Sequence, residues 1–275
     1  MTELHILHLG AGVGSTALYY LAIDRRLPPT HRNPNPHIDL AIFADTHAET
    51  PDTYDHLQRM LRKPPIPILT CSAGDLTRTI THPTEQRNRP FLPIPAYTAA
   101  NDGSTRGVLK RQCTRQFKVE PLDQLIRTHC LNLQPRQRRP PLTRIIHYYG
   151  FTHEEQTRAA RTETQIRANN QKDRGAYPLI DLAMNRGACI AYLERRLPWT
   201  VNRSACCCCP YRRNDEWLRI KTQHPTCWKT AIHLDETLRE PNHILQRNDP
   251  RALYLHETCR PLVAVQLTKP QLNLF

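Results

Sequence analysis

Four consecutive cysteines, Cys206 to Cys209, followed by Pro210, are the residues best suited to chemistry. Neighbouring cysteines rarely bridge to each other, because disulfide geometry strains the peptide between them. In the frame Cys206-x-x-Cys209, however, two thiolates can converge on one metal, with Pro210 closing the turn. The chain carries ten cysteines, and a small secreted scaffold would disperse that number through a short sequence as a disulfide framework. Here they cluster in 275 residues, which points to metal or redox chemistry. Cys71, Cys130 and Cys227 stand in apolar or helical surroundings and read as ordinary buried thiols, and Cys207 and Cys208 read as spacers.

A second constellation lies near the N-terminus. Only nine glycines occur in the chain, and Gly10, Gly12 and Gly14 fall within five positions, followed by Ser15 and Thr16. No lysine precedes Ser15-Thr16, so this is not a Walker loop, and the spacing is too short for a dinucleotide fingerprint. A β-prone run at residues 4–9 precedes the glycines and an apolar helix, Ala17 to Ile23, follows them. Strand, glycine loop and helix together aim backbone N–H groups and a helix N-terminus at a phosphate.

The elements that must hold these residues alternate. Ile38 to Ala44 reads as a second strand ending in Asp45-Thr46-His47. A helix follows, with Thr50 as N-cap and Pro51 at its first position, and Tyr54, Leu57, Met60 and Leu61 recur at helical spacing. Ile66 to Cys71 reads as a third strand and Ile145 to Tyr149 as another. This predicts an α/β fold, a mostly parallel Rossmann-like sheet with helices on both faces, plus a smaller, mainly helical, cysteine-containing C-terminal part. The domain expectation is an α/β domain over 1–200, with a lid-like proline-rich loop at 82–107, and a Cys-cluster region over 201–275 packed on it. Helices are expected at about Pro121 to Leu131 and Ala183 to Arg196, and Leu262 to Leu267 is β-prone.

Five segments in order give the chain a family likeness. Gly10-Ala11-Gly12-Val13-Gly14-Ser15 occupies the frame of a Ser-Gly-Gly-x-Asp-Ser loop, and Phe43 to Tyr54 contains a strand-end Asp45-Thr46 before a helix opening with Pro51. Cys113 to Leu122 includes Lys118-Val119 and Pro121-Leu122; Tyr149 to Glu155 is followed by Arg158; and Tyr177 to Asp181 leads to a helix ending at Leu197-Pro198. Over residues 5–200 the chain resembles the PP-loop, or adenine nucleotide α-hydrolase-like, superfamily, in its phosphoadenosine phosphosulfate (PAPS) reductase-like branch. The resemblance implies ATP (or PAPS or APS) with Mg, phosphates held by Gly10, Gly12, Gly14, Ser15 and Thr16, and the nucleoside near Asp45 and Thr46. It also implies catalytic roles for Cys113 and Lys118. The loop departs from the family at Gly14, where the family carries Asp. Cys113 becomes the third candidate metal ligand beside Cys206 and Cys209, with Cys189 the fourth. Thiolating relatives suggest a [4Fe–4S] cluster, and zinc is the alternative.

Charge bears on the partner. The chain has 38 Lys and Arg against 25 acids, a net +13, and 31 of the cations are Arg. Residues 106–139 hold nine Lys and Arg against two acids, a net +7, including Arg106, Lys110, Arg111 and Arg115 around Cys113. Guanidinium forks hold phosphates, so Arg111 joins the nucleotide-binding set and tRNA or DNA is the expected acceptor. No apolar run approaches the ~18 residues of a membrane span, and the N-terminus lacks the pattern of a signal peptide, so a cytoplasmic protein able to form a homo-oligomer is expected. Three functions fit: ATP-dependent thiolation of a nucleic acid, sulfonucleotide reduction, and regulation by a degenerate nucleotide-binding chain. The reductase tail Glu-Cys-Gly-Leu-His is replaced by Glu257-Thr258-Cys259-Arg260-Pro261, which weighs against the second.

Overall fold

Continuous apolar runs form the centre of the sheet because both of its faces are covered. In the computed structural model, which describes residues 2–30, 33–82, 92–99, 106–140, 142–240 and 252–268, β1 is Thr2–His8 and leads through the glycine loop into α1, Val13–Ile23. Then come β2 (Leu40–Asp45), α2 (Pro51–Leu61), β3 (Ile68–Ser72), α3 (Leu76–Thr81), β4 (Tyr97–Ala99) and β5 (Arg106–Val108). A helical stretch follows in three turns of differing pitch: a π segment Arg115–Val119, α4 (Glu120–Leu125) and a second π segment, Ile126–Cys130. The rest comprises β6 (Thr143–Tyr149), α5 (Gln156–Asn169), β7 (Arg174–Ala176), α6 (Pro178–Asp181), α7 (Arg186–Arg196), α8 (Asn214–Gln223), α9 (Pro225–Thr237) and β8 (Ala252–Tyr254).

The chain divides into two compact units, and the division is discontinuous in sequence. The first takes residues 1–44, 52–71 and 121–204. Its five strands lie in the order β3-β2-β1-β6-β7, with β1 parallel to β2 and β6, and β6 parallel to β7. Alternation along the strands feeds two cores. Leu7, Ala41, Phe43, Ile146 and Tyr148 pack with α1, α2 and α7, whereas Ile6, Ile42 and Ile145 pack with Leu122 and Ile126. This is the expected Rossmann-like α/β sheet with helices on both faces.

The second unit takes residues 45–51, 72–120 and 205–275. The last division falls between residues 204 and 205, close to the expected boundary, and 45–51 and 72–120 group with the C-terminal part. The reason is packing: Leu76, Ile80, Leu92, Ile94, Ala96 and Phe117 share one core with Trp217, Ile220, Trp228, Ala231 and Leu234. Part of the expected lid at 82–107 is sheet, since β4 pairs antiparallel with both β5 and β8, and residues 83–91 and 100–105 lie outside the described residues. The β-prone Leu262 to Leu267 is not a strand. Leu262–Ala264 is a 3₁₀ turn, because the buried Asp235 carboxylate accepts from the backbone N–H groups of both Leu255 and Leu262, each at 2.8 Å.

Candidate functional site

The glycine loop of the first unit sits where the strand order reverses, between β1 and β6, with α1 running one way and the β6–α5–β7 unit the other. In open α/β sheets this crevice, at the carboxyl ends of the strands, is where ligands bind. Gly12 caps α1 in an extended conformation with no side-chain cap, which leaves its first-turn amides to other acceptors. Ser15 folds back on the loop, its Oγ accepting from the Gly10 amide at 3.1 Å and facing the Gly12 carbonyl at 3.3 Å. A Cβ at Gly14 would run into the carbonyl oxygen of Gly150, and one at Gly150 would meet the backbone of Gly14 and Ser15. The loop after β1 and the turn after β6 thus touch backbone to backbone. No side chain, a carboxylate included, fits at Gly14 without displacing that backbone.

Thr16 is fully buried and engaged elsewhere. Its hydroxyl lies 3.0 Å from His56 Nε2, while Trp199 Nε1 donates to His56 Nδ1 at 3.1 Å. With Nδ1 accepting, the neutral ring carries its proton on Nε2 and donates it to Thr16. Burial, then the charge of Arg59, pushes the His56 pKa down to about 4, so the ring stays neutral and locks α1 to α2. Gly10, Gly12, Gly14 and Ser15 therefore form the loop surface, and Thr16 is one step behind it.

Beside the loop lies a relay that sequence reasoning missed. His8 Nε2 and His147 Nδ1 are 2.9 Å apart, and His147 Nε2 faces Asp173 at 3.8 Å. Asp173 in turn holds Arg139 at 2.7 Å and accepts from the Ile145 amide. His8 stacks on Tyr149 at 4.3 Å, Tyr149 stacks on Phe151, and Arg158 covers Phe151 at 4.2 Å. The sequence signal was a histidine at the end of one strand, His8 in β1, and another near the end of its neighbour, His147 in β6.

The second unit holds the thiol site. Cys206 bridges Glu49 as an isolated antiparallel pair, and the Cys207 amide donates to the Ala48 carbonyl at 2.7 Å. Arg212, itself buried, donates to the carbonyls of Ala205 and Cys206 at 2.8 Å, so the cysteine loop is held by its backbone. Cys206 Sγ lies 3.3 Å from Thr46 Oγ1 and 3.7 Å from Glu49 Oε1. The same carboxylate oxygen accepts from Lys118 Nζ at 2.9 Å, with the Glu49 side chain 0% and the Lys118 side chain 38% exposed. Burial opposes charge on Lys118, but Glu49 outweighs it and the net effect is a raised pKa. Cys206 is pushed well up by burial, then by Glu49, so it rests as a neutral thiol.

Thr46 therefore faces a thiol, whereas the sequence assigned it to a nucleoside. Asp45 accepts from the His47 amide at 2.8 Å, bracing a turn in which His47 has a left-handed φ of 54°. Glu49 was not singled out from the sequence, although it stands four residues past Asp45, the last residue of β2. Cys113 is raised by burial, then by Cys209, with Arg111 and Lys118 acting the other way, so Cys113, Cys209 and Lys118 share one neighbourhood. Arg111 lies 5.8 Å above the Tyr211 ring.

Among the described residues, no three His, Cys, Asp or Glu side chains converge as metal ligands. Cys189 belongs to the first unit, fully buried in its core, with burial pushing its thiol up to about 11. It reads as a packing residue, while Cys113, Cys206 and Cys209 all lie in the second unit. Comparison with protein-family models, curated proteins and solved structures finds no match for this chain. Among the described residues no helix is long and apolar enough to cross a membrane.

Proposed function

We propose that this chain is an ATP-using enzyme of sulfur chemistry of the PP-loop type, which adenylates an oxygen of a nucleic acid and lets sulfur replace it. The observation that carries the proposal is the glycine loop at the sheet's switch point, opening α1 with an N-cap that has no side-chain partner. Such a loop suits an anion of the size of a nucleotide's phosphates. In the first step the acceptor oxygen attacks the α-phosphate and pyrophosphate leaves; in the second, sulfur displaces AMP. Mg would travel with the ATP phosphates, since Gly14 offers no carboxylate.

For sulfur, Cys206, Glu49 and Lys118 supply a thiol, a carboxylate within reach of its proton and a cation that favours the thiolate. A neutral resting thiol is protected until Glu49 accepts its proton. The [4Fe–4S] or zinc reading rests on the soft donors Cys113, Cys206 and Cys209. Among the described residues these thiols do not converge as a three-ligand set. Anaerobic purification with iron, sulfide and zinc analysis tests that part separately.

Calorimetry tests the nucleotide part, titrating ATP, PAPS and APS into the full chain and into Ser15→Ala. The variant is expected to bind at least several-fold more weakly; equal affinity would remove the loop from the site. A sulfonucleotide reductase is the second reading, and one observation favours it. Several cations of the basic segment are already engaged, Arg139 with Asp173, Arg115 with Glu120 and Lys118 with Glu49.

A further inference from the structure

The cysteine loop contains a second thiol pair, distinct from the Cys206 constellation and from the nucleotide reading. Cys207 Sγ and Cys227 Sγ stand 2.7 Å apart, and both residues are more than nine-tenths buried. A formed disulfide spans roughly 2.05 Å, and two unbonded sulfurs rest well beyond the present separation. Cys207 lies on the cysteine loop and Cys227 in the first turn of α9, behind Pro225. Their side chains share the core of the second unit with Ala48, Trp217, Trp228 and Ala231. Of the other thiols of the loop, Cys206 is turned to Thr46 and Glu49 and Cys209 to the neighbourhood of Cys113, while Cys208 is buried in the same core. The backbone is also set for the pairing, because the Cys207 amide is bound to Ala48 and Pro225 starts the helix that presents Cys227.

We propose that Cys207 and Cys227 are a disulfide-forming oxidation site, closed by a small peroxide and reopened by a dithiol reductant. One thiol gives up its proton and attacks hydrogen peroxide as the thiolate, the O–O bond breaks, and the departing hydroxide takes that proton, so a sulfenic acid and one water form. The second thiol attacks the sulfenic sulfur, an S–S bond forms, and a second water leaves. Two thiols are oxidised and one peroxide is reduced to two waters. A peroxide is small enough to reach a buried pair, and the product needs only a short approach of two sulfurs already in contact. Closure ties the loop bearing Cys206 and Cys209 to the start of α9 and leaves those two thiols free.

Disulfide mapping tests this on the full chain. Reduced protein is treated with stoichiometric hydrogen peroxide, alkylated in denaturant, digested without reductant and read by mass spectrometry. The expected result is a peptide pair linked through Cys207 and Cys227, lost on reduction, with Cys206 and Cys209 still alkylated. Thermal melting gives a second reading independent of any variant. Oxidation should raise the wild-type Tm by several degrees, since a loop of about twenty residues is closed, and reductant should reverse the rise. Cys227→Ser should show neither the linked pair nor the rise. Full alkylation of both thiols after oxidation of folded protein, a Cys206–Cys209 bridge in their place, or terminal oxidation of unpaired Cys207 or Cys227 would overturn the proposal.

Discussion

The two units solve the placement of reactive groups in opposite ways. In the first, the candidate ligand surface is backbone: glycines whose missing side chains allow the β1 loop to meet the β6 turn. In the second, it is side chains: a thiol, a buried carboxylate and a lysine held around a loop that its own backbone bonds fix. A backbone site is protected by steric exclusion, so nearly any side chain at its key positions should damage it. A side-chain site tolerates neighbours and fails only when a named partner is removed. That difference can be broken or sharpened by experiment.

The largest effect is expected at Gly14. Gly14→Asp, which restores the carboxylate of the resembled family, must displace a backbone carbonyl, and overpacking against atoms that cannot rotate away costs about 3 kcal/mol or more. Chemical denaturation should show that loss in Gly14→Ala too. A variant as stable as wild type would mean that the loop and the Gly150 turn can separate.

Next is the pH dependence set by His56. Its folded pKa of about 4 lies below the ordinary 6.5, so between those values the unfolded chain binds a proton that the folded chain does not. Stability from this group is full above pH 6.5 and lost as pH falls towards 4, by roughly 3 kcal/mol. His56→Gln keeps a donor for Thr16 and an acceptor for Trp199, so its stability should lack that part of the acid slope. Parallel slopes for the two proteins would place the titration elsewhere.

Removing the cation of the thiol site should cost less. Lys118→Met leaves the buried Glu49 carboxylate without this partner. A fully buried pair broken that way loses about 3–5 kcal/mol, and the partial exposure of Lys118 discounts this to about 2 kcal/mol. Because the pKa of Lys118 is raised, its contribution is complete below the ordinary lysine value and fades only in strong alkali. The wild-type-minus-variant difference should therefore be flat from pH 6 to pH 9 and shrink only above roughly pH 10. Cys206 alkylation by iodoacetamide should slow in the same variant, since the cation that favours thiolate is gone.

The smallest structural effect is expected on the basic surface. Arg136 and Arg138 are exposed, while Arg139 is ion-paired to Asp173 and would destabilise the first unit if reversed. Arg136→Glu/Arg138→Glu should change stability by less than about 0.5 kcal/mol. It should reduce the salt slope of tRNA or DNA binding by about one per lost phosphate contact. Binding that ignores salt in the wild type would favour a small sulfonucleotide.

Much of the first unit was legible because its strands and helices alternate with clear periods, and Thr50-Pro51 marks the start of α2. The second unit was not, for physical reasons. Leu76, Ile80 and Phe117 carry no signal of which core they join, and β4, β5 and β8 have three residues each, too short for a two-residue period to show. Cys206 and Lys118 stood out in the sequence as motif positions, and both contact Glu49. Glu49 and His56 did not, since a buried polar group is defined by partners far away in sequence. Cys227, read as an ordinary buried thiol, is buried as expected, but its contact with Cys207 spans twenty residues and two elements.

The contact between Gly14 and Gly150 also constrains how this chain can evolve. The space for one Cβ is shared between two positions 136 residues apart, so a substitution at either is judged against the backbone at the other. Neither can change first without harm, and their effects should not add when combined. A carboxylate at position 14 therefore has no single-step route into this loop. Change in this loop is then left to the side chains around it, with Gly14 itself frozen.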